Sequence, residues 1–134
     1  MKLEAKDLRI GNFVKARTTD DEFNIVKEIS FSDNQRGYYL RLENINHGVW
    51  LEHNGDNLIL GVPLTEEWLL KFGFEKGFYY EKGFLKLSNG QKRTLVRYVI
   101  SDSESVSIAS IIYVHQLQNL YHALTGEELT IKKQ

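Results

Sequence analysis

Residues 23–43 decide how this chain folds: Phe23-Asn24-Ile25-Val26-Lys27-Glu28-Ile29-Ser30-Phe31, then Ser32-Asp33-Asn34-Gln35-Arg36-Gly37, then Tyr38-Tyr39-Leu40-Arg41-Leu42-Glu43. Side chains of a strand alternate between its two faces, so apolar residues two apart share a side. Phe23, Ile25, Ile29 and Phe31 fall on one side of the first run, with Asn24, Glu28 and Ser30 on the other. Tyr38, Leu40 and Leu42 oppose Tyr39, Arg41 and Glu43 in the second. The polar stretch between them has turn chemistry. The pair reads as two half-buried strands joined by a turn.

The flanks repeat the pattern. Gly11-Asn12 turns the chain into a strand over 13–17, Asn46-His47-Gly48 leads into 49–52, and Asn54-Gly55-Asp56 leads into 58–60. Short strands every 8–12 residues or so, with turns between, predict a small β-barrel over 1–62.

From 63 onward the period changes. Pro63 marks a boundary, Thr65 stands as a helix N-cap, and Glu66 and Glu67 lie in a first turn that favours anions. Trp68, Leu69 and Phe72 make the apolar face, and Gly73 suits the left-handed C′ position. Lys82-Gly83 and Asn89-Gly90 are hairpin signals between strands at 78–81, 84–88 and 92–100, a three-stranded meander. The β-branched run 106–112 reads as a further strand. Val114, Leu117, Tyr121 and Leu124 form the stripe of a helix over 113–125 that stops at Gly126. The expected class is therefore α+β: a barrel over 1–62, then helix, meander and a C-terminal helix packed on it over 63–134. The connection 61–64 is short and apolar, so the two halves are expected to share one core, with Trp68 and Phe72 toward Leu117, Leu120, Tyr121 and Leu124.

Composition narrows the chemistry. The 134 residues are 42% hydrophobic and 26% charged, a globular balance. There is no cysteine, which excludes disulfides, thiolate metal sites and cysteine nucleophiles. The longest apolar run, 111–114, is far below the roughly 20 residues of a membrane helix. Residues 1–7 hold no signal-like apolar stretch, and the cytoplasm is the expected compartment, with no membrane partner. No Gly-x-Gly-x-x-Gly, phosphate-binding Gly-Lys-Ser/Thr or Gly-x-Ser-x-Gly pattern occurs, so neither a cofactor nor an enzymatic activity is expected. A catalytic site assembled from distant residues is the alternative such a search would miss. His47, His53 and Glu52 could be combined into a metal site, but histidines beside turns are the favoured reading. His115 and His122 stand seven apart, about 10 Å along a helix, too far to chelate one ion.

Two stretches suggest binding. Over 71–97, Lys71, Lys76, Lys82, Lys86, Lys92, Arg93 and Arg97 meet only Glu75 and Glu81, in a chain of net charge −1. Aromatic residues interleave with these cations. Lys76, Lys82, Lys86, Lys92, Arg93 and Arg97, with Tyr79 as a stacking platform, are thus candidates for single-stranded nucleic acid. The favoured alternative is a meander with its aromatics in the core and its cations in water. Tyr39 and Trp50, on the outward register of their strands, are candidates for contact with a protein partner or a second copy. The helix 113–125 carries His115, Gln118, Asn119 and His122 opposite its apolar stripe, a polar face read as half exposed.

Asp7-Leu8-Arg9-Ile10-Gly11-Asn12, then 63–74 (Pro63-Leu64-Thr65-Glu66-Glu67-Trp68 through Phe74), then 114–129 (Val114-His115-Gln116-Leu117-Gln118-Asn119 through Leu129) together resemble a family of small uncharacterised proteins from Bacteroidetes genomes and their phages or integrated elements. The resemblance implies a cytoplasmic bacterial or phage-encoded protein and carries no site residues with it. The first five strands also look like an SH3-like small barrel by count and spacing. The expected function is a non-enzymatic protein-binding or oligomerising module, with nucleic-acid binding as the first alternative.

Overall fold

The computed structural model describes residues 7–17, 22–32, 37–44, 48–53, 59–90 and 92–132, and the backbone alone at 31–32, 37–38 and 50–53. The described residues form ten strands and two helices, an α+β arrangement in which each strand runs antiparallel to its neighbours. They fall into two compact units, Met1–Val62 with Val114–Glu128, and Pro63–Tyr113 with Leu129–Gln134.

The first unit holds β1 (Phe13–Ala16), β2 (Asn24–Ser32), β3 (Gly37–Asn44), β4 (Gly48–His53), β5 (Ile59–Gly61) and the helix α2 (Val114–Thr125). Its sheet order is β4-β3-β2-β1-β5. The expected closed barrel does not form: β4 and β5 are the two edges of an open sheet, and among the described residues each pairs on one side only, β4 with β3 and β5 with β1. Leu8, Val14, Ala16, Val26, Leu40, Leu42 and Ile59 make the core, with Ile29 against it.

The alternation expected for β2 is interrupted. Val26 pairs with Leu42 and Glu28 with Arg41, so Lys27 is an extra residue. Such a bulge flips the phase of everything beyond it. Val26 and Ile29 therefore face the core, and Ile25 lies on the opposite side, in register with Phe13. The C-terminal helix also differs from expectation. It belongs to the first unit, against β1, and not to the meander.

The second unit holds α1 (Glu66–Lys71), β6 (Glu75–Lys76), β7 (Tyr80–Lys82), β8 (Leu85–Asn89), β9 (Thr94–Ser101) and β10 (Glu104–Ile111). The expected three-stranded meander is a five-stranded one, order β10-β9-β8-β7-β6. The run 106–112 joins it as β10, and the two residues before Gly77 pair back on β7. Thr65 takes the N-cap position, but its side chain makes no capping hydrogen bond. Gly73, at φ +87°, ends α1: its N–H donates to Leu70 O and that of Phe74 to Leu69 O, both at 3.0 Å. That is the double bond pattern of a glycine-terminated helix. Trp68, Leu69, Phe72, Phe74, Leu85, Leu87, Val96 and Ile111 are buried.

Candidate interaction surface

The polar face of α2 turns out to serve the fold. His115 and Gln118 are buried with Val114 and Leu117, whereas Leu124 is exposed. Gln118 Oε1 accepts from the backbone N–H of Phe13 at 2.8 Å, and its Nε2 donates to Gly11 O at 3.1 Å. Asn119 Oδ1 accepts from Asn12 Nδ2 at 2.8 Å, and its Nδ2 donates to Asp7 O at 3.1 Å. Asn12 Oδ1 in turn accepts from Arg9 N, and the Arg9 guanidinium pairs with Glu128. The turn at 9–12 cannot complete its own backbone pairing, and the two amide side chains of α2 satisfy it. Neither residue is left to present a polar face to a partner.

Burial pushes the His115 imidazole below its ordinary value of 6.5, with the Asp7 carboxylate pulling the other way. His47 and the side chains of Glu52 and His53 lie outside the described residues. Among the described residues no three histidine, cysteine, aspartate or glutamate side chains gather to hold a metal ion. No described helix is long and apolar enough to cross a membrane.

Tyr39 and Trp50 do not share a surface. Tyr39 stands opposite His53, and position 50 stands opposite Leu42, a core residue. Residues directly opposite in a ladder share a face, so the two positions lie on opposite faces of the sheet. Tyr39 is half-buried, and the Trp50 side chain lies outside the described residues.

The basic segment is only partly gathered. Lys86, Arg97 and Ser107 stand in one cross-strand row, with Glu81 beyond Lys86. Lys86 Nζ lies 5.1 Å from the centre of the Tyr79 ring and 3.8 Å from Glu81. Arg97 is held by Ser105, its Nε on Oγ at 2.9 Å and its terminal nitrogen on the carbonyl at 3.0 Å. Lys76 pairs with Glu66 across to α1. Hydrogen bonds from Lys76 and Tyr80 hold the Glu66 carboxyl below its usual range, and Glu66 raises Lys76. Lys82 is half-buried, near the point a side chain at Gly73 would occupy. Lys92 and Arg93 are exposed at the turn between β8 and β9, away from that row. Three of the six candidate cations, Lys76, Lys86 and Arg97, are thus engaged within the unit.

What the alternation argument missed is apolar and exposed. Phe78, between β6 and β7, is 95% exposed and sits edge-on against Tyr79 at 5.0 Å. Phe84 is 66% exposed and stacks on Tyr98, while Ile100 is 59% and Val106 45% exposed. Leu95 and Ile108 are exposed as well. Five of these side chains belong to β9, β10 or the residue before β8. The available signal was β10 itself, whose run from Val106 carries no charge and does not alternate cleanly. No protein-family model, curated protein or solved structure matches the chain.

Proposed function

We propose that the chain is a non-enzymatic protein-binding or oligomerising module that works through the β9–β10 side of its second sheet. The observation that carries this is a run of exposed apolar side chains there: Phe84 stacks on Tyr98, Tyr98 stands opposite Val106, and Ile100 follows on the same strand. Contiguous exposed apolar surface is a mark of an interaction site, whereas single exposed residues are ordinary. The bacterial or phage-element origin belongs to the same proposal and rests on the three sequence blocks alone.

An SH3-like character of the first sheet is part of this reading. It rests on the count and spacing of the five strands alone.

The test is affinity capture from the native host with wild type and a Phe84→Ser/Ile100→Thr double variant, both checked for folding by near-ultraviolet circular dichroism. Partners retained by wild type and lost by the variant support the site. Equal recovery by both removes it.

A second reading, single-stranded nucleic acid, is favoured by one observation, the exposed Phe78 ring beside Tyr79 and Lys86. Exposed aromatic faces next to cations stack unpaired bases.

A further inference from the structure

The second sheet ends in a strand suited to pair with itself. Among the described residues β10 has a neighbour, β9, on one side only. It is the longest of the four sheet edges, eight residues against six in β4, three in β5 and two in β6. Edge strands are usually protected by brevity, lysine, proline or a bulge, and of these β10 carries only the bulge between Ser107 and Ala109. β10 has neither lysine nor proline, and its one charge, Glu104, is its first residue.

Its main chain points the right way. Val99 donates its N–H to Phe84 O at 2.7 Å, away from β10. In an antiparallel ladder the direction alternates, so Leu95 and Arg97 also turn toward β8. Ser105, Ser107 and Ser110, opposite Val99, Arg97 and Leu95, therefore aim their N–H and C=O groups at the open edge. Arg97 already donates to the Ser105 carbonyl at 3.0 Å, and that oxygen has a second lone pair.

The register is self-complementary. Two antiparallel copies related by a two-fold axis can pair only residues that lie on the same face. In a regular strand of eight residues, full overlap would set every inward residue opposite an outward one. The bulge between Ser107 and Ala109 corrects this, because it flips the phase halfway along. With the axis between Ser107 and Ile108, Ser105 meets Ser110, and both lie on the face of Leu95 and Val99. Val106 meets Ala109, and both lie on the face of Val96 and Tyr98. Glu104 meets Ile111, so the two carboxylates sit at opposite ends of the ladder instead of side by side.

We propose that the occupant of this edge is a second copy of the chain, β10 pairing antiparallel with β10 along its whole length into one continuous ten-stranded sheet. The proposal rests on the binding-module reading and names its partner. A parallel mate would bring the two Glu104 carboxylates together, which this arrangement avoids.

The chain has no cysteine, so introduced ones report cleanly. Ser105→Cys and Ser110→Cys are made singly, mixed, and oxidised. Opposite Cα atoms in such a ladder are about 5.5 Å apart, within disulfide reach, whereas like positions are displaced by roughly 15 Å along the strands. The mixture is expected to give a cross-linked dimer and neither variant alone to do so. Sedimentation of wild type at roughly 100 µM, enough to fill a micromolar dimer, is expected to show twice the monomer mass. Ile108→Lys, which brings two ammonium groups together near the axis, is expected to show the monomer mass. A monomeric wild type, a dimer without the mixed cross-link, or equal cross-linking by each variant alone overturns the proposal. If wild type is monomeric yet Phe84→Ser/Ile100→Thr still loses captured partners, the self-pairing has failed and the binding reading stands. If both fail, both are wrong.

Discussion

Asn12 donates through Nδ2 to Asn119 Oδ1 at 2.8 Å, joining a turn near the start of the chain to a helix 107 residues later. Gln118, next to Asn119, closes the same joint through Phe13 N and Gly11 O. Asn12 and Gln118 are both buried, so removing either amide leaves buried backbone groups without partners. Such an orphaned group costs about 1–3 kcal/mol. Asn12→Ala and Gln118→Ala are each expected to lower stability by about 2 kcal/mol in urea unfolding. Because the two share one network, the double variant should lose less than the sum. A strictly additive result would mean that the amides act separately.

His115 gives the first unit a pH dependence. Its folded pKa lies below the ordinary 6.5 because burial disfavours the imidazolium. The unfolded chain therefore binds a proton that the folded chain refuses. Stability from this group is complete above about 6.5, falls as pH drops through that value, and levels off below the folded pKa. Urea midpoints measured from pH 7.5 to 5 should decline, and His115→Gln should flatten the decline. Asp7 attracts the proton, so Asp7→Asn should steepen it. A wild-type profile with no slope in this window would show that His115 does not titrate against the fold.

Much of the architecture was legible because its signals are local. Gly73 could be placed as a helix terminator since only glycine takes a φ of +87° there without strain, and the Lys82-Gly83 turn was readable for the same reason. The bulge at Lys27 was not legible, because nothing in Val26-Lys27-Glu28 distinguishes an extra residue from regular alternation. The burial of Gln118 was hidden too. Its use depends on Phe13 N–H and Gly11 C=O, which meet its amide only when helix and turn are brought together. The apolar side of β10 was overlooked because alternation assigns every apolar residue to a core. Strands at an edge can keep theirs exposed.

Gly73 offers a sharper stability test. A Cβ there would meet only the flexible Lys82 ammonium, at 3.2 Å, so the main penalty of Gly73→Ala is the left-handed backbone. That penalty is roughly 1 kcal/mol. Gly73→Asn should cost less, since asparagine tolerates this region better than alanine. Thermal unfolding of both variants checks the order. Equal losses would point to the Lys82 contact as the cause.

Phe78 separates the two functional readings. Its ring is almost wholly exposed, so Phe78→Ser removes no core contact and should leave stability within about 0.5 kcal/mol of wild type. If the ring stacks on unpaired bases, the same substitution should weaken single-stranded DNA binding by about 1–3 kcal/mol. Salt dependence adds a second measure. Lys76, Lys86 and Arg97 are engaged within the unit, which leaves Lys92 and Arg93 as the candidate cations exposed at a turn. Two phosphate contacts give a log–log salt slope near −1.4, at about −0.7 each, and charge reversal at Arg93 should flatten it by about 0.7. A slope near −3 would mean that the engaged cations release their partners on binding, and it would favour nucleic acid over the apolar edge. No gel shift at low salt, with Phe78→Ser indistinguishable from wild type, would leave the cations as the wet side of a sheet whose partners meet it elsewhere.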